Sequence, residues 1–387
     1  MTESLSLEAM SGPEAPRVTH LTSVHSPFDN RIFHKELRSL RGNGFDVVII
    51  APHSRDEIVD GISIWAEPKP RFRLERMIRT TRRIYKRALS SKARIFHFHD
   101  SELIVAALLL RLHGAHVVYD VHENLVTSIK EKEYIPAILR PALSLAGGGL
   151  ENSLSRFFTL VIAERCYSAR FPGATEILNY PVHELFEMQP RPDGASPPRL
   201  LFTGESRVDR GAIIHGSLVH ALPGLEVHLV GRCTSRLAKR LEELARPHEK
   251  RLRIVGRDRL IPYPDILNTY ARGGWTAGLA LFPPNPNNSD KEPTKLFEYM
   301  AAGIPIICSD FPAWRDLLAR TNAGICVNPS SAAEMTEAVL HLVNHPDEAR
   351  AMGINGRRAV ETKLNWRTQE KKLLKLYRTL LSRDPRS

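Results

Sequence analysis

Short apolar runs rich in β-branched residues recur along this chain. Each is followed by a stretch whose apolar residues fall at helical spacing, and the series breaks once, at the Pro-rich polar segment Met188–Pro198 (MQPRPDGASPP). Before the break the runs are VTHLTSV (Val18–Val24), FDVVIIAP, RIFHFHD (Arg94–Asp100) and AHVVYDVHE. Between them lie IFHKELRSLRGNG, with Ile32, Phe33, Leu37 and Leu40 at helical spacing and Gly42/Gly44 as its stop, and SELIVAALLLRLHG. After the break RLLFTG, LEVHLVG, LRIVG, WTAGLALFPP and IPIICSD alternate with SRLAKRLEELARPH, PTKLFEYMAAG and AEMTEAVLHLVNH. Unbroken apolar strands suit a parallel sheet covered on both faces. Strand–helix–strand alternation is the pattern of a doubly wound α/β unit. The chain therefore reads as two Rossmann-like α/β domains in series.

The expected partition is a loose tail over 1–16, a first domain over 17–185, a linker over 186–198, a second domain over 199–363 and a final amphipathic helix over 364–387. That helix, NWRTQEKKLLKLYRTLLSR, exceeds what the second sheet needs and is expected to return to the first domain. A length of 387 residues fits two or three domains at roughly 150 residues each. The four cysteines are far apart with no CxxC spacing, which reads as reduced thiols in a cytoplasmic protein. The first residues lack a basic start followed by an apolar run, and no stretch is long enough to span a bilayer.

The formal net charge of +11 is concentrated. Lys69–Arg94 holds eleven Lys and Arg against Glu75 alone, interleaved with Leu74, Met77, Ile78, Thr81, Ile84, Tyr85, Ala88 and Leu89 at three- and four-residue steps. A basic amphipathic helix follows, suited to an anionic membrane surface. A nucleic-acid partner is not expected, because no helix-turn-helix, zinc finger or aromatic RNA-binding motif accompanies the charge.

Three places carry chemistry. In Pro293–Gly303, proline opens a helix at a strand end, where free N–H groups and the positive dipole end suit a diphosphate. Lys295 adds a full charge, and Glu298 lies one turn on along the same face, placed for sugar hydroxyls. A solvated Lys–Glu pair would use the same spacing. In Gly204–Gly211, a glycine-bearing turn after RLLFTG carries Arg207 and Arg210, whose guanidinium forks match phosphate oxygens. In the first half, His97, His99, Asp100 and Glu102 sit at one strand end and His122 and Glu123 at another, so they are expected in one crevice. Their spacing is not a zinc pattern, and the chain has no Asp-x-Asp, so no metal is expected.

HSPFDNRIFHKELRSLRGNGFDVVIIAP, HFHDSELI, YDVHE, ILNYP and EPTKLFEYMAAGIPIICSDFPAWRDLL, in this order, resemble the family-4 retaining glycosyltransferases. The resemblance runs from about Val18 to Leu380 and implies the GT-B fold. It implies that Glu298 binds the nucleotide ribose, that Arg210 meets the diphosphate, and that Lys295 with the N–H groups of Thr294–Leu296 supports the phosphates. Gly204 and Arg207 border that site. His122 would approach the transferred sugar. His25, Asp29, Arg31, His99 and Glu123 would line the acceptor side. Asp290 stands where the family has the first of two glutamates eight residues apart, and Glu205 where many relatives have arginine or glycine.

The implied activity is transfer of a hexose-type sugar from a nucleoside-diphosphate sugar, with retention and without metal or cofactor. The acceptor would be a glycolipid or saccharide of polysaccharide assembly, and the enzyme peripheral on the inner face of the cell membrane. A nucleotide-sugar epimerase on the same fold and a non-catalytic basic binding protein are the alternatives.

Overall fold

Parallel strands bury both faces only if helices cover them, and the alternation above supplies those helices. The computed structural model describes residues 15–122, 125–130, 136–188, 197–285 and 288–383. The expected tail thus lies almost wholly outside the described residues, as do Glu123 and most of the expected linker. The chain divides into two units, one comprising residues through Asn179 together with Gln369 onward, the other Tyr180–Thr368.

The first unit is built on β1 (Arg17–Leu21), β2 (Asp46–Pro52), β3 (Glu57–Val59), β4 (Ile62–Glu67), β5 (Ile95–Phe98), β6 (His116–Val121), β7 (Thr159–Ile162) and β8 (Thr175–Glu176). They form one sheet in the order β3-β4-β2-β1-β5-β6-β7-β8. All pairings are parallel except β3 with β4. Asp60 and Gly61, both at positive φ (52° and 74°), make the tight turn of that hairpin. On one face the two-residue pleat sets His20 beside His97. On the other, Leu21, Phe96, Phe98, Val117 and Tyr119 join one apolar cluster with Ile84 and Leu110 of the covering helices.

The final helix, Trp366–Leu381, returns to this unit from Gln369 onward, as expected. Leu373, Leu374, Tyr377 and Leu380 are buried, and the Tyr377 ring stands edge-on to Phe45 at 5.9 Å.

The second unit carries β9 (Arg199–Thr203), β10 (Glu226–Cys233), β11 (Leu252–Arg257), β12 (Ala277–Ala280), β13 (Ile306–Ser309) and β14 (Gly324–Val327). Their order is β11-β10-β9-β12-β13-β14, all parallel. The strand order reverses between β9 and β12, where an open α/β sheet forms a crevice beyond its carboxyl ends. Tyr180 and Phe186 belong to this unit, packing on Phe297 and Tyr270 at centroid distances of 4.7 and 5.6 Å. The expected two Rossmann-like α/β domains in series are thereby borne out.

The helix Arg140–Ser155 contains Gly147, Gly148 and Gly149 and was not foreseen. Glycine weakens a helix interior, but here it permits close packing. A Cβ on Gly148 would lie 2.5 Å from Val126 Cγ2 of the neighbouring helix.

The turn after β9 depends on Gly211, at φ 76°, where a Cβ would stand 1.8 Å from the backbone oxygen of Leu281. Gly211→Ala is therefore expected to destabilise the second unit by at least about 2 kcal/mol. A denaturant midpoint indistinguishable from the parent would contradict this account of the turn.

Candidate functional site

In the second unit, the turn after β9 and the segment after β12 flank the reversal in strand order. The helix Thr294–Ala301 begins there after Pro293, which lies in the extended region. No side chain caps it, so its first N–H groups are left for another acceptor. Trp314 anchors the approach by donating its indole N–H to the Lys291 carbonyl at 2.5 Å.

Lys295 is buried rather than solvated. Its Nζ lies 3.6 Å from the centroid of the Phe202 ring and 4.9 Å from that of Phe282. Gly204, at φ 105°, lies beside the same nitrogen, which a Cβ there would meet in ordinary contact at 3.7 Å. Burial first, then the nearby Arg210, hold Lys295 well below the usual lysine range, and Glu298 only partly opposes them. No ion pair of Lys295 occurs among the described residues. A bound anion would relieve the cost of that charge.

Arg210 is exposed on the turn Val208–Arg210. Arg207, also exposed, is turned to its own neighbour, with Nε 2.9 Å from Asp209 Oδ1. Of the three N–H groups expected to face phosphate, that of Leu296 already donates to the Pro293 carbonyl at 3.0 Å. Thr294 and Lys295 supply the remaining two. Asp290 is exposed at the end of the preceding turn. Glu205 faces Arg232 at 3.7 Å.

Glu298 is buried and does not form a solvated pair with Lys295. Tyr270 donates its hydroxyl to Oε2 at 2.9 Å and Tyr263 to Oε1 at 3.3 Å. Because the Tyr270 proton goes to the carboxylate, the Thr203 hydroxyl, 2.8 Å away, donates to Tyr270 in turn. Neither tyrosine was singled out from the sequence, where their distance from Glu298 leaves no local signal.

In the first unit, His99 and His122 meet as expected, and others join them. His99 Nδ1 is 2.9 Å from His122 Nε2, which is 2.8 Å from Asp120 Oδ2. Arg31 holds Asp120 through two contacts of 3.0 and 3.1 Å and lies 3.1 Å from Glu36 Oε1. Arg31 is thus a buried anchor. Burial alone would raise the Asp120 carboxyl, but Arg31 and then His122 hold it well below the usual carboxylate range. Glu36 goes the other way, pushed well up by burial despite Arg31.

Asp29 accepts from the N–H groups of Arg31 and Ile32 at 2.8 and 3.1 Å, which fixes the loop entering the next helix. His25 is partly exposed, 3.6 Å from Asp29 and 3.5 Å from Asp100. His25, Asp29, Glu102 and His122 are the expected first-unit residues that reach the surface among the described ones, and Glu102 pairs there with Arg76 at 2.6 Å.

Glu36, His97, His99 and Asp120 each bring one metal-ligand atom within 4.8 Å of the others, a grouping the sequence spacing hides. The Arg31 guanidinium beside both carboxylates already provides positive charge there. A divalent ion would have to share the space with it.

Among solved structures, sucrose-phosphate synthase from Thermosynechococcus elongatus superposes with a TM-score of 0.75 at 17% identity, covering 95% of this chain and 100% of that one. Anabaena HepE, in complex with UDP and glucose, gives 0.69 at 12% identity over 94% and 100%. WaaG, a glycosyltransferase involved in lipopolysaccharide biosynthesis, gives 0.67 at 14% over 92% and 98%. Residues 215–375 match the family model described as "Glycosyl transferase-like". The chain is an enzyme of the glycosyltransferase class. No curated protein matches the sequence significantly.

The buried imidazoles of this glycosyltransferase make its first unit acid-sensitive. Burial holds His20 and His97 well below 6.5 and brings His99 down to about 4. Between those values the unfolded chain binds protons that the folded chain does not. Stability should therefore be complete above about pH 6.5 and fall with pH below it, by up to about 1.4 kcal/mol per unit and ring. Denaturant midpoints that stay constant from about pH 7.5 to about pH 5 would refute this.

Proposed function

We propose that this enzyme transfers a hexose-type sugar from a nucleoside-diphosphate donor to a saccharide or glycolipid acceptor, with retention of configuration and without metal or cofactor. The observation that carries the reading is the Lys295 ammonium, buried on two aromatic rings beside Gly204 at an uncapped helix start. Such a charge needs an anion, and the leaving diphosphate supplies one. Lys295, Arg210 and the N–H groups of Thr294 and Lys295 would stabilise the charge that grows as the glycosidic bond breaks. Glu298, held by Tyr263 and Tyr270, would accept from the ribose hydroxyls. Asp290 would take the donor sugar's hydroxyls. His122 is assigned to the transferred sugar, with His25 and Asp29 bordering the acceptor. HepE holds UDP and glucose, which makes uridine donors the first to test.

The basic helix supports peripheral attachment. Along it Ile84 and Ala88 are buried, while Leu74, Met77 and Ile78, with Phe72 just before, are exposed next to the exposed Arg71, Arg79, Arg82 and Lys86. Apolar and cationic groups on one surface suit anionic lipid, each cation adding about 1 kcal/mol. We place the enzyme on the inner face of the cell membrane, acting on a lipid-linked acceptor. No helix among the described residues is long and apolar enough to cross a membrane.

A nucleoside diphosphate at 100 times its dissociation constant should stabilise the fold by about 2.7 kcal/mol. Among UDP, GDP, ADP and TDP, at least one should raise the melting temperature. Lys295→Met should melt no lower than the parent without ligand yet lose most of that rise. Silence from all four nucleotides would sink the donor assignment.

Binding to anionic vesicles should weaken steeply with salt and be lost in Leu74→Ser/Ile78→Ser. Equal binding to neutral vesicles, or none to anionic ones, would remove the membrane reading.

A further inference from the structure

We propose that Tyr377, on the C-terminal helix, is a positioning residue that closes a one-way chain of hydrogen bonds through His20 and His99, whose direction Asp120 sets and which ends on His122. Asp120, held ionised by Arg31, only accepts, so His122 Nε2 at 2.8 Å must donate to it. The same nitrogen is 2.9 Å from His99 Nδ1, which must therefore present a lone pair. The His99 proton is then on Nε2, 3.0 Å from His20 Nδ1, which accepts it. The His20 proton is on Nε2, 3.1 Å from the Tyr377 hydroxyl oxygen. Tyr377 receives it and donates its own proton to His97 Nδ1 at 2.6 Å.

The opposite polarity would set an N–H of His99 against the N–H of His122. The remaining nitrogen of His97, buried with no hydrogen-bond partner, lies 3.8 Å from Asp120 Oδ2, which suits an N–H at that end as well. Burial keeps His20, His97 and His99 neutral, so each ring has one proton to place. His122, the partly exposed member, is left with Nδ1 for a ligand.

Tyr377 closes the chain. Without its hydroxyl, His20 Nε2–H loses its acceptor and His97 its donor. His20 and His99 are then free to exchange tautomers, and the His99 lone pair that faces His122 Nε2 is no longer held.

The role in catalysis rests on the sugar-facing assignment of His122, while the tautomer order does not. Two-bond 15N–1H correlation spectra of the full chain should show His20, His97, His99 and His122 all protonated on Nε2. In Tyr377→Phe the His20 and His99 patterns should become mixed, and kcat should fall roughly tenfold with donor KM within about twofold. Leu373→Ala, buried on the same helix but outside the chain of bonds, should lower the melting temperature while keeping the tautomers and kcat. A parent His20 or His99 protonated on Nδ1 overturns the proposal even if Tyr377→Phe does not fold. Unchanged tautomers in a folded Tyr377→Phe overturn it too. Unchanged kcat beside shifted tautomers overturns only the catalytic role of His122.

Discussion

One guanidinium sets the electrostatics of the first unit. Arg31 lies between Asp120, on a strand, and Glu36, on a helix, all three buried. Two carboxylates in such a place cannot both be charged without a cation. Arg31 favours ionised Asp120, and the second carboxyl is driven toward its neutral form. A third contact, from Nη1 to the Ile177 carbonyl at 2.7 Å, fixes the guanidinium plane. Lysine has the same charge but lacks the fork that meets both oxygens of Asp120. Much of the histidine arrangement follows, because an ionised Asp120 fixes the polarity of every bond leading away from it.

The second unit solves the reverse problem, holding a cation and an anion close without pairing them in advance. Lys295 and Glu298 are one helical turn apart, yet each is turned to aromatic side chains. Phe202 and Phe282 receive the ammonium on their faces. Tyr263 and Tyr270 hold the carboxylate by their hydroxyls. Separate aromatic supports leave both charges available to a ligand, at a cost in the empty protein.

Much of this was legible in the sequence because periodicity and strand ends are local properties. β1, β2, β5, β6 and β9 to β13, the helix opening at Thr294 and the turn carrying Gly204, Arg210 and Gly211 lie where the alternation puts them, while the short β7, β8 and β14 carry too few apolar residues to stand out. The β3–β4 hairpin was passed over because its strands are short, although Asp60-Gly61 marks it. The helix Arg140–Ser155 is hidden by three glycines, of which Gly147 and Gly148 permit close packing. Arg31 was grouped with the acceptor side because its loop leads there. Its inward turn depends on Asp120, 89 residues away. Glu36 did leave a trace, falling among Ile32, Phe33, Leu37 and Leu40 on an apolar face. Tyr263, Tyr270 and Tyr377 left none, since nothing local distinguishes a tyrosine whose hydroxyl finds a distant partner.

The return of the last helix gives the molecule an order of assembly. Tyr180–Thr368 is one uninterrupted stretch, so the second unit holds all its strands before the helix Trp366–Leu381 is complete. The first unit emerges earlier but lacks Leu373, Tyr377 and Leu380 until the helix Trp366–Leu381 is made. Domains generally fold as units and in the order of synthesis. Here that order is inverted at completion: the half begun first is finished last. Until then His20 and His97 wait beside an unfilled gap, and a chain that stops short of residue 377 leaves two buried imidazoles with no hydroxyl between them.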